Sequence, residues 1–131
     1  TQLAREHGIS VVVCLQSDED LRSRGLQWAI LWQFYTRLGI RVSRVAIRDF
    51  DKKDLLANLD AAVAAVADGV EGGGKVYVHC TAGLNRSPTV IIGYLMKHRG
   101  LELSDAEAWV RERHDCVPYP DVLEAWGQRA S

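Results

Sequence analysis

Cys80 and Arg86 stand six residues apart in the stretch VYVHCTAGLNRSPTVIIGYL, and their side chains suit chemistry on a phosphate group. The thiolate of cysteine is a nucleophile, and the arginine fork binds two phosphate oxygens at once. Cys80 ends an alternating apolar run typical of a strand, whereas Arg86 begins a run with helical spacing. This order predicts a nucleophile at the end of a strand and a phosphate-binding arginine beyond a short loop. The alternative is a buried cysteine in a tight turn, with Arg86 on the surface.

The residues between Cys80 and Arg86 favour an anion-binding loop. Small residues allow backbone N–H groups to turn inward, and the following helix adds the positive end of its dipole. The same field stabilises a thiolate. We expect Ser87 to assist the sulfur as a leaving group and His79 to orient the loop. The predicted phosphate-binding loop consists of Thr81, Ala82, Gly83, Leu84, Asn85 and Arg86.

Hydrolysis of a phosphoester also needs an acid that protonates the leaving oxygen. The charged loop RDFDKKD precedes Cys80 by one predicted helix and offers Asp49, Asp51 and Asp54. Each of the three carboxylates is equally compatible with a helix cap or a solvated charge. Spacing alone does not choose the acid.

Alternating strands and helices must position these residues. Strands are predicted over residues 9–15, 41–47 and 75–80, and QSDEDL is predicted to be a loop with capping residues. Helices are predicted over residues 1–7, 26–38, from Asp51 or Asp54 to about Ala67, over 87–99, from Ser104 (with Glu107 in a capping box) and after 118–120. The order predicts an α/β fold, with a central, mainly parallel sheet flanked by helices. Ligands of such sheets bind beyond the carboxyl ends of the strands, where Cys80 lies.

Composition narrows the class of protein. The 131 residues, 47% hydrophobic, fit a single domain over residues 1–131. Sixteen basic residues against 17 acidic ones give no field that favours nucleic acid. No apolar run is long enough for a membrane span. Three cysteines without metal-type spacing indicate free thiols in a reducing compartment. Since no initiator Met is present, we expect a processed or trimmed protein with part of the domain upstream of Thr1.

The motif HCTAGLNRS resembles the C-x5-R signature of the cysteine-dependent phosphatases, in their dual-specificity branch. RDFD, together with YVHCTAGLNRSP and RHDCVPYPD, is most similar to the plant and algal glucan phosphatases, which remove phosphate from starch. The resemblance covers roughly residues 15–127. It implies the phosphatase fold, lacking here its N-terminal strands, and a phosphocysteine mechanism without metal or other cofactor. It also implies that Asp49 is the general acid and that Phe50 contacts the glucan chain.

The sequence departs from that family at two places. Asn85 stands where the family usually has Gly before the loop arginine, and Ser23 and Arg24 replace an aromatic pair at the mouth of the site. Trp28 and Trp32 follow at helical spacing, and we interpret them as core residues rather than a sugar platform.

Three functions therefore compete. The first is a phosphatase acting on phosphorylated α-glucan, which implies a chloroplast or other plastid. The second is a dual-specificity phosphatase acting on phosphoprotein or a small phosphoester, with a cytoplasmic location. The third is a non-catalytic scaffold, which retention of Cys80, Arg86, Ser87 and Asp49 argues against.

The remaining polar and aromatic residues have plainer interpretations. We expect Cys14 to be a buried small hydrophobe, and a redox partnership of Cys116 with Cys80 has no support in the sequence. Trp109 and Trp126 are expected in the core. No metal role is expected for His7, His98 and His114. A solvated face, of which one or two members attract an anionic substrate, is expected for Arg22, Arg24, Arg41, Arg44 and Arg48.

Overall fold

The computed structural model describes residues 10–23, 25, 27–73, 75–80, 85–113 and 115–130. Several predictions concern residues outside these ranges. They are the helix over residues 1–7, the start of the first strand, the loop residues Thr81, Ala82, Gly83 and Leu84, and the interpretations of His7, Arg24 and His114.

A parallel sheet of three strands lies at the centre of the described chain. The strands are β1 (Val11–Cys14), β2 (Arg41–Arg44) and β3 (Val76–His79), in the order β2-β1-β3. The register pairs Cys14 with Arg44 on one side and with His79 on the other, so the carboxyl ends of all three strands are level. The predicted α/β fold with a parallel sheet is confirmed, and each strand is shorter than its sequence pattern indicates.

Six helices surround the sheet in the described residues. They are α1 (Asp18–Ser23), α2 (Trp28–Arg37), α3 (Lys52–Glu71), α4 (Arg86–Arg99), α5 (Leu103–Arg113) and α6 (Pro120–Ala130). The prediction of a loop at QSDEDL was wrong, because Ser17 and Asp20 cap a short helix there. The helix α3 runs past Ala67 to Glu71, and α5 begins at Leu103, one residue before the predicted cap. None of these helices has the length and apolar character that a membrane span requires.

The two faces of the sheet are covered unequally. Val13 and Leu15 belong to the main core with buried residues of α3, α4, α5 and α6. On the other face, Val12, Cys14 and Ile40 form a smaller cluster that is covered by α2. Because successive strand residues point to opposite faces, β1 is buried along its whole length.

Two of the tryptophan predictions were wrong. Trp32 is 49% exposed, and Trp109 is 42% exposed with the Arg113 guanidinium 3.8 Å above its ring. Trp126 is buried as expected, and its indole N–H donates to Asp60 Oδ1 at 2.7 Å. Trp28 is partly buried against the smaller cluster, with Arg44 stacked over its ring.

Close packing of α3 on the sheet depends on Gly69. A Cβ atom at this position would lie 2.6 Å from Val76 Cγ2 and 3.2 Å from Val11 Cγ1. Because both neighbours are β-branched residues of packed strands, Gly69→Ala should lower the free energy of unfolding by about 1–3 kcal/mol. Gly127→Ala in α6 is the matched control, since no atom lies within 4 Å of its Cβ. The control should raise the free energy of unfolding by up to about 1 kcal/mol. Urea denaturation measures both, and stabilisation by both substitutions would contradict the packing argument.

Candidate active site

Cys80 is buried directly after β3, at the level carboxyl ends of the strands. The backbone N–H of Leu15 donates to the His79 carbonyl at 2.8 Å, which fixes the end of β3 against β1. His79 Nδ1 lies 3.2 Å from the Cys80 carbonyl oxygen. Burial lowers the pKa of His79, the hydrogen bond to Cys80 opposes this, and the charge of Arg86 lowers it further. The imidazole is therefore neutral at pH 7, and its Nδ1 contacts the backbone of Cys80.

Arg86 is the first residue of α4, and only 2% of its surface is exposed. Its Nη1 donates to Asp20 Oδ2 and to the Ile47 carbonyl, each at 2.7 Å. Its Nε lies 3.5 Å from Asp49 Oδ1. The alternative that places Arg86 on the surface is wrong. A guanidinium held on two sides inside the protein is oriented before any ligand arrives.

The sequence analysis missed Asp20, which is the closest carboxylate to Arg86 among the described ion pairs. Its Oδ2 also accepts from the backbone N–H of Ser17 at 2.8 Å and from Ser17 Oγ at 3.0 Å. Burial opposes ionisation, but the hydrogen bonds from Arg86 and Ser17 and the charge of Arg86 hold the pKa of Asp20 below its ordinary value. Asp20 is consequently ionised at neutral pH. The signal in the sequence was the spacing of Ser17 and Asp20, which is that of a helix cap.

The three carboxylates of the charged loop RDFDKKD have different partners. Asp51 caps α3 by accepting from the backbone N–H of Asp54 at 3.0 Å. Asp54 accepts from the backbone N–H of Arg48 at 2.7 Å, which closes the loop. Asp49 is the carboxylate that lies beside Arg86. The contacts of the three carboxylates therefore differ, although their spacing in the sequence did not distinguish them.

Phe50 presents its ring to solvent next to Asp49. It is 80% exposed, and its φ of 57° lies in the left-handed region. That conformation costs a non-glycine residue about 1–2 kcal/mol. Its backbone N–H donates to Asp49 Oδ1 at 3.1 Å, so the turn that exposes the ring also holds the carboxylate. Strain that fixes a carboxylate and an exposed ring together is a common property of functional sites.

Ser87 and Cys80 both line a groove bounded by β3, α4 and α5. Ser87 Oγ is buried and has no hydrogen-bond partner among the residues that the structure describes. A buried hydroxyl without a partner carries a free-energy cost. A hydrogen bond to a group that arrives during a reaction would remove that cost.

The start of α4 is tied to the segment that precedes α6. Asn85 Nδ2 donates to the Val117 carbonyl at 2.9 Å. Thr89 Oγ1 donates to the Asn85 carbonyl at 2.7 Å and accepts from the backbone N–H of Tyr119 at 3.0 Å. Asn85, which departs from the family pattern, thus has a structural partner of its own.

The predicted basic face is only partly a solvated one. Arg44 donates to the Gln16 carbonyl at 3.0 Å and to Asp18 at 2.9 Å, which joins β2 to the start of α1. Arg48 lies within 4.0 Å of Asp51 and Asp54. Arg22 and Arg41 are exposed.

The other cysteines are buried and form no disulfide. Burial raises the pKa of both Cys14 and Cys116, which makes them poorer nucleophiles at neutral pH. Within the described ranges, no group of three or more His, Cys, Asp or Glu residues is placed to hold a metal ion.

The catalytic-domain model named dual specificity phosphatase matches residues 1–121. Among curated proteins, the amyloplastic phosphoglucan phosphatase DSP4 of Castanea sativa is 33% identical over 123 residues, which is 92% of this chain and 33% of that protein. Dual specificity phosphatase 28 of Homo sapiens is 41% identical over 73 residues, which is 56% of this chain and 42% of that protein. The chain therefore spans less than two thirds of the length of these relatives.

Solved structures agree with the sequence matches. The crystal structure of human DUSP28 superposes with a TM-score of 0.74 at 30% identity, and the match covers 98% of this chain and 80% of that one. Tk-PTP in its active form superposes with a TM-score of 0.73 at 29% identity, covering 98% of this chain and 85% of that one.

Proposed function

This chain belongs to the dual specificity phosphatase family, and we propose that it hydrolyses phosphomonoesters with Cys80 as the nucleophile. The observation that carries the proposal is the buried guanidinium of Arg86, held at the start of α4 with Asp49 Oδ1 3.5 Å from its Nε. In this proposal residues 1–131 act as one catalytic domain. Arg86 binds the phosphate together with the backbone of the loop over residues 81–85.

In the first step, the thiolate of Cys80 attacks phosphorus and an S–P bond forms. The bond from phosphorus to the leaving oxygen breaks, and that oxygen takes the proton of Asp49. The products are a phosphocysteine, an alcohol and an ionised Asp49. Arg86 stabilises the charge that the transition state spreads over the equatorial phosphate oxygens.

In the second step, water attacks the phosphorus of the phosphocysteine. Asp49, now a base, takes a proton from that water, and the S–P bond breaks to return the thiolate. The buried hydroxyl of Ser87, which has no partner in the described part of the chain, is suited to donate to the departing sulfur. His79 supports the nucleophile through its contact with the Cys80 carbonyl.

Asp49→Ala should slow esters with poor leaving groups much more than activated ones. We expect kcat to fall about 10²–10⁴-fold on an alkyl phosphate and far less on 4-nitrophenyl phosphate, whose leaving group needs no proton. Asp51→Ala is the control, because loss of the α3 cap should lower stability by about 1 kcal/mol without dependence on the leaving group. If Asp51→Ala or Asp54→Ala gives the leaving-group dependence instead, Asp49 is not the acid.

The substrate we propose is phosphorylated α-glucan, which would place the protein in a plastid. The similarity to a phosphoglucan phosphatase, 33% identity over 92% of the chain, supports this substrate. The exposed ring of Phe50 supports it too, because an aromatic face beside the acid suits contact with a sugar.

A phosphoprotein or a small phosphoester is the second candidate. Ser23 stands where the glucan phosphatases have an aromatic residue, and it is exposed. The relatives also include dual specificity protein phosphatase 1B of Arabidopsis thaliana, 35% identical over 80 residues. Such a substrate is compatible with a cytoplasmic location.

Phosphate release from solubilised phospho-amylopectin, measured beside 4-nitrophenyl phosphate, distinguishes the candidates. The proposal expects release from both substrates by the wild-type protein and from neither by Cys80→Ser. Activity on the aryl phosphate alone would keep the chemistry and move the substrate to a phosphoprotein or a small phosphoester. Silence on both would favour the non-catalytic scaffold.

A further inference from the structure

We propose that Asp20 is a positioning residue that orients Arg86 for phosphate binding. The proposal rests on the function proposed above. It assigns to α1, a helix that contains none of the predicted site residues, control over the geometry of the phosphate site. Asp20 acts through Arg86 and touches no substrate.

The contacts fix the guanidinium by one of its ends. Nη1 carries two hydrogens, and two acceptors lie 2.7 Å away: Asp20 Oδ2 and the Ile47 carbonyl. Because both Nη1 hydrogens are used, phosphate has to be bound by the edge formed by Nε and Nη2. That is the edge on which Asp49 Oδ1 lies, 3.5 Å from Nε.

Asp20 is itself held in place. Its Oδ2 accepts from the backbone N–H and the hydroxyl of Ser17, and its own backbone N–H bonds back to that hydroxyl at 3.3 Å. The reciprocal cap ties the carboxylate to Ser17, which lies in the short segment between β1 and α1. Arg86 is anchored in this way to the start of α1.

The ionic state of the pair suits positioning. The pKa of Asp20 lies below its ordinary value, so its hydrogen bond to Arg86 is charge-assisted and short. A planar fork loses its bidentate geometry if it rotates, and a displacement of about 1 Å at a reacting group can cost about 10²-fold in rate.

Four variants separate positioning from helix capping. Asp20→Ala removes the acceptor, and Asp20→Asn keeps an oxygen in the same place. Ser17→Ala removes the other half of the cap and leaves the acceptor for Arg86. Asp18→Asn is the matched control on the same helix, because Asp18 pairs with Arg44.

On 4-nitrophenyl phosphate, Asp20→Ala should lower kcat/KM about 10²-fold, with a raised KM as well as a lowered kcat. Asp20→Asn should stay within about tenfold of wild type, because a neutral acceptor weakens the bond and keeps its direction. Ser17→Ala should lower the melting temperature with kcat/KM within about fivefold, as loss of a cap costs about 1 kcal/mol. Asp18→Asn should match wild type.

Nitrogen-15 NMR of the Arg86 guanidinium gives a readout that needs no turnover. Separate Nη resonances, the sign of restricted rotation, are expected in wild type and Asp20→Asn and should merge in Asp20→Ala. If Asp20→Ala keeps kcat/KM within about threefold and its Nη resonances separate, the positioning role is excluded. If Asp20→Ala does not fold, Asp20→Ser, whose side chain is too short to reach Arg86, takes its place, and a kcat/KM within about threefold of wild type together with separate Nη resonances excludes the role. If the wild-type protein is inactive but shows separate Nη resonances, the proposed function is wrong, whereas the anchoring of Arg86 by Asp20 is retained.

Discussion

Serine at position 80 is expected to abolish turnover, with a loss on the order of 10⁴-fold or more, as for the nucleophiles of other enzymes. An alcohol is far less acidic than a thiol, so the field of the loop and of α4 cannot supply an alkoxide at neutral pH. The loop and Arg86 remain, so binding of inorganic phosphate should be retained. Steady-state assays with 4-nitrophenyl phosphate measure the first effect, and titration calorimetry with inorganic phosphate measures the second.

Cys14→Ser and Cys116→Ser are the controls for this experiment. Both cysteines are buried, and burial raises the pKa of each, so neither should supply the nucleophile. We expect both variants to keep their activity wherever they remain folded. If Cys80→Ser keeps more than about a tenth of the wild-type rate, Cys80 is not the nucleophile. The nucleophile would also be assigned elsewhere if Cys116→Ser lost its activity at unchanged stability.

Arg86→Lys is expected to lower kcat/KM about 10²–10³-fold, which is the usual cost of one lost donor to developing charge. Lysine keeps the positive charge and loses the planar fork. An ammonium carries its three N–H donors on one nitrogen, so it cannot bond Asp20 and the Ile47 carbonyl as Nη1 does and also present the separate edge that the guanidinium offers to phosphate. The variant should bind inorganic phosphate more weakly as well, because the same fork binds both ground state and transition state. Equal kcat/KM in Arg86→Lys and wild type would exclude bidentate binding.

Arg86→Met tests the structural side of the same contact. Removal of the guanidinium leaves the Asp20 carboxylate, whose side chain is only 11% exposed, without its counter-charge. Breaking a fully buried pair costs about 3–5 kcal/mol, so a smaller loss of stability is expected here. The double variant Arg86→Met with Asp20→Asn should recover part of that loss and none of the activity. Urea denaturation measures the stability, and failure of the second substitution to recover any of it would mean that Asp20 does not depend on Arg86.

Local patterns in the sequence predicted the parallel α/β fold, the strand that ends before Cys80 and the helix that begins at Arg86. These features depend on the periodicity of apolar residues that are neighbours in the chain, and this periodicity can be read directly from the sequence. The strand ends were less predictable, since β2 stops at Arg44 while its apolar alternation continues to Ile47. The regular ladder with β1 ends at Cys14 and Arg44, and beyond it single backbone bonds join Val45 N–H to the Cys14 carbonyl and Ile47 N–H to the Leu15 carbonyl. Where the ladder ends depends on both strands, not on the pattern of one.

The errors at tryptophan have one physical cause. Helical spacing shows which residues share a face, but it does not show whether another element covers that face. Trp126 meets α3 through Asp60, whereas Trp109 stacks with Arg113 of its own helix and stays 42% exposed. Burial of an aromatic residue depends on neighbours that are distant in the sequence.

The same limit explains why Asp20 was missed and why spacing alone, without the family resemblance, did not select Asp49 among three carboxylates. The partner of Asp20 lies 66 residues away in the sequence, beyond the reach of any spacing rule. Asp51 caps α3 and Asp54 closes the loop through the Arg48 N–H, whereas Asp49 contacts Arg86. These bonds form only when the loop takes its native conformation.

The bond from Asn85 to Val117 has a consequence for how this protein can diverge. Its acceptor is a backbone carbonyl, and the neighbouring bond to Thr89 uses a backbone N–H. The side chain of Val117 takes no part in this attachment and is exposed. Substitutions of the Val117 side chain should therefore leave this hydrogen bond in place, whereas substitutions of Asn85 remove its donor. The polarity or size of the exposed surface at position 117 can therefore change during evolution or by design, while Asn85 keeps the segment attached to the start of α4.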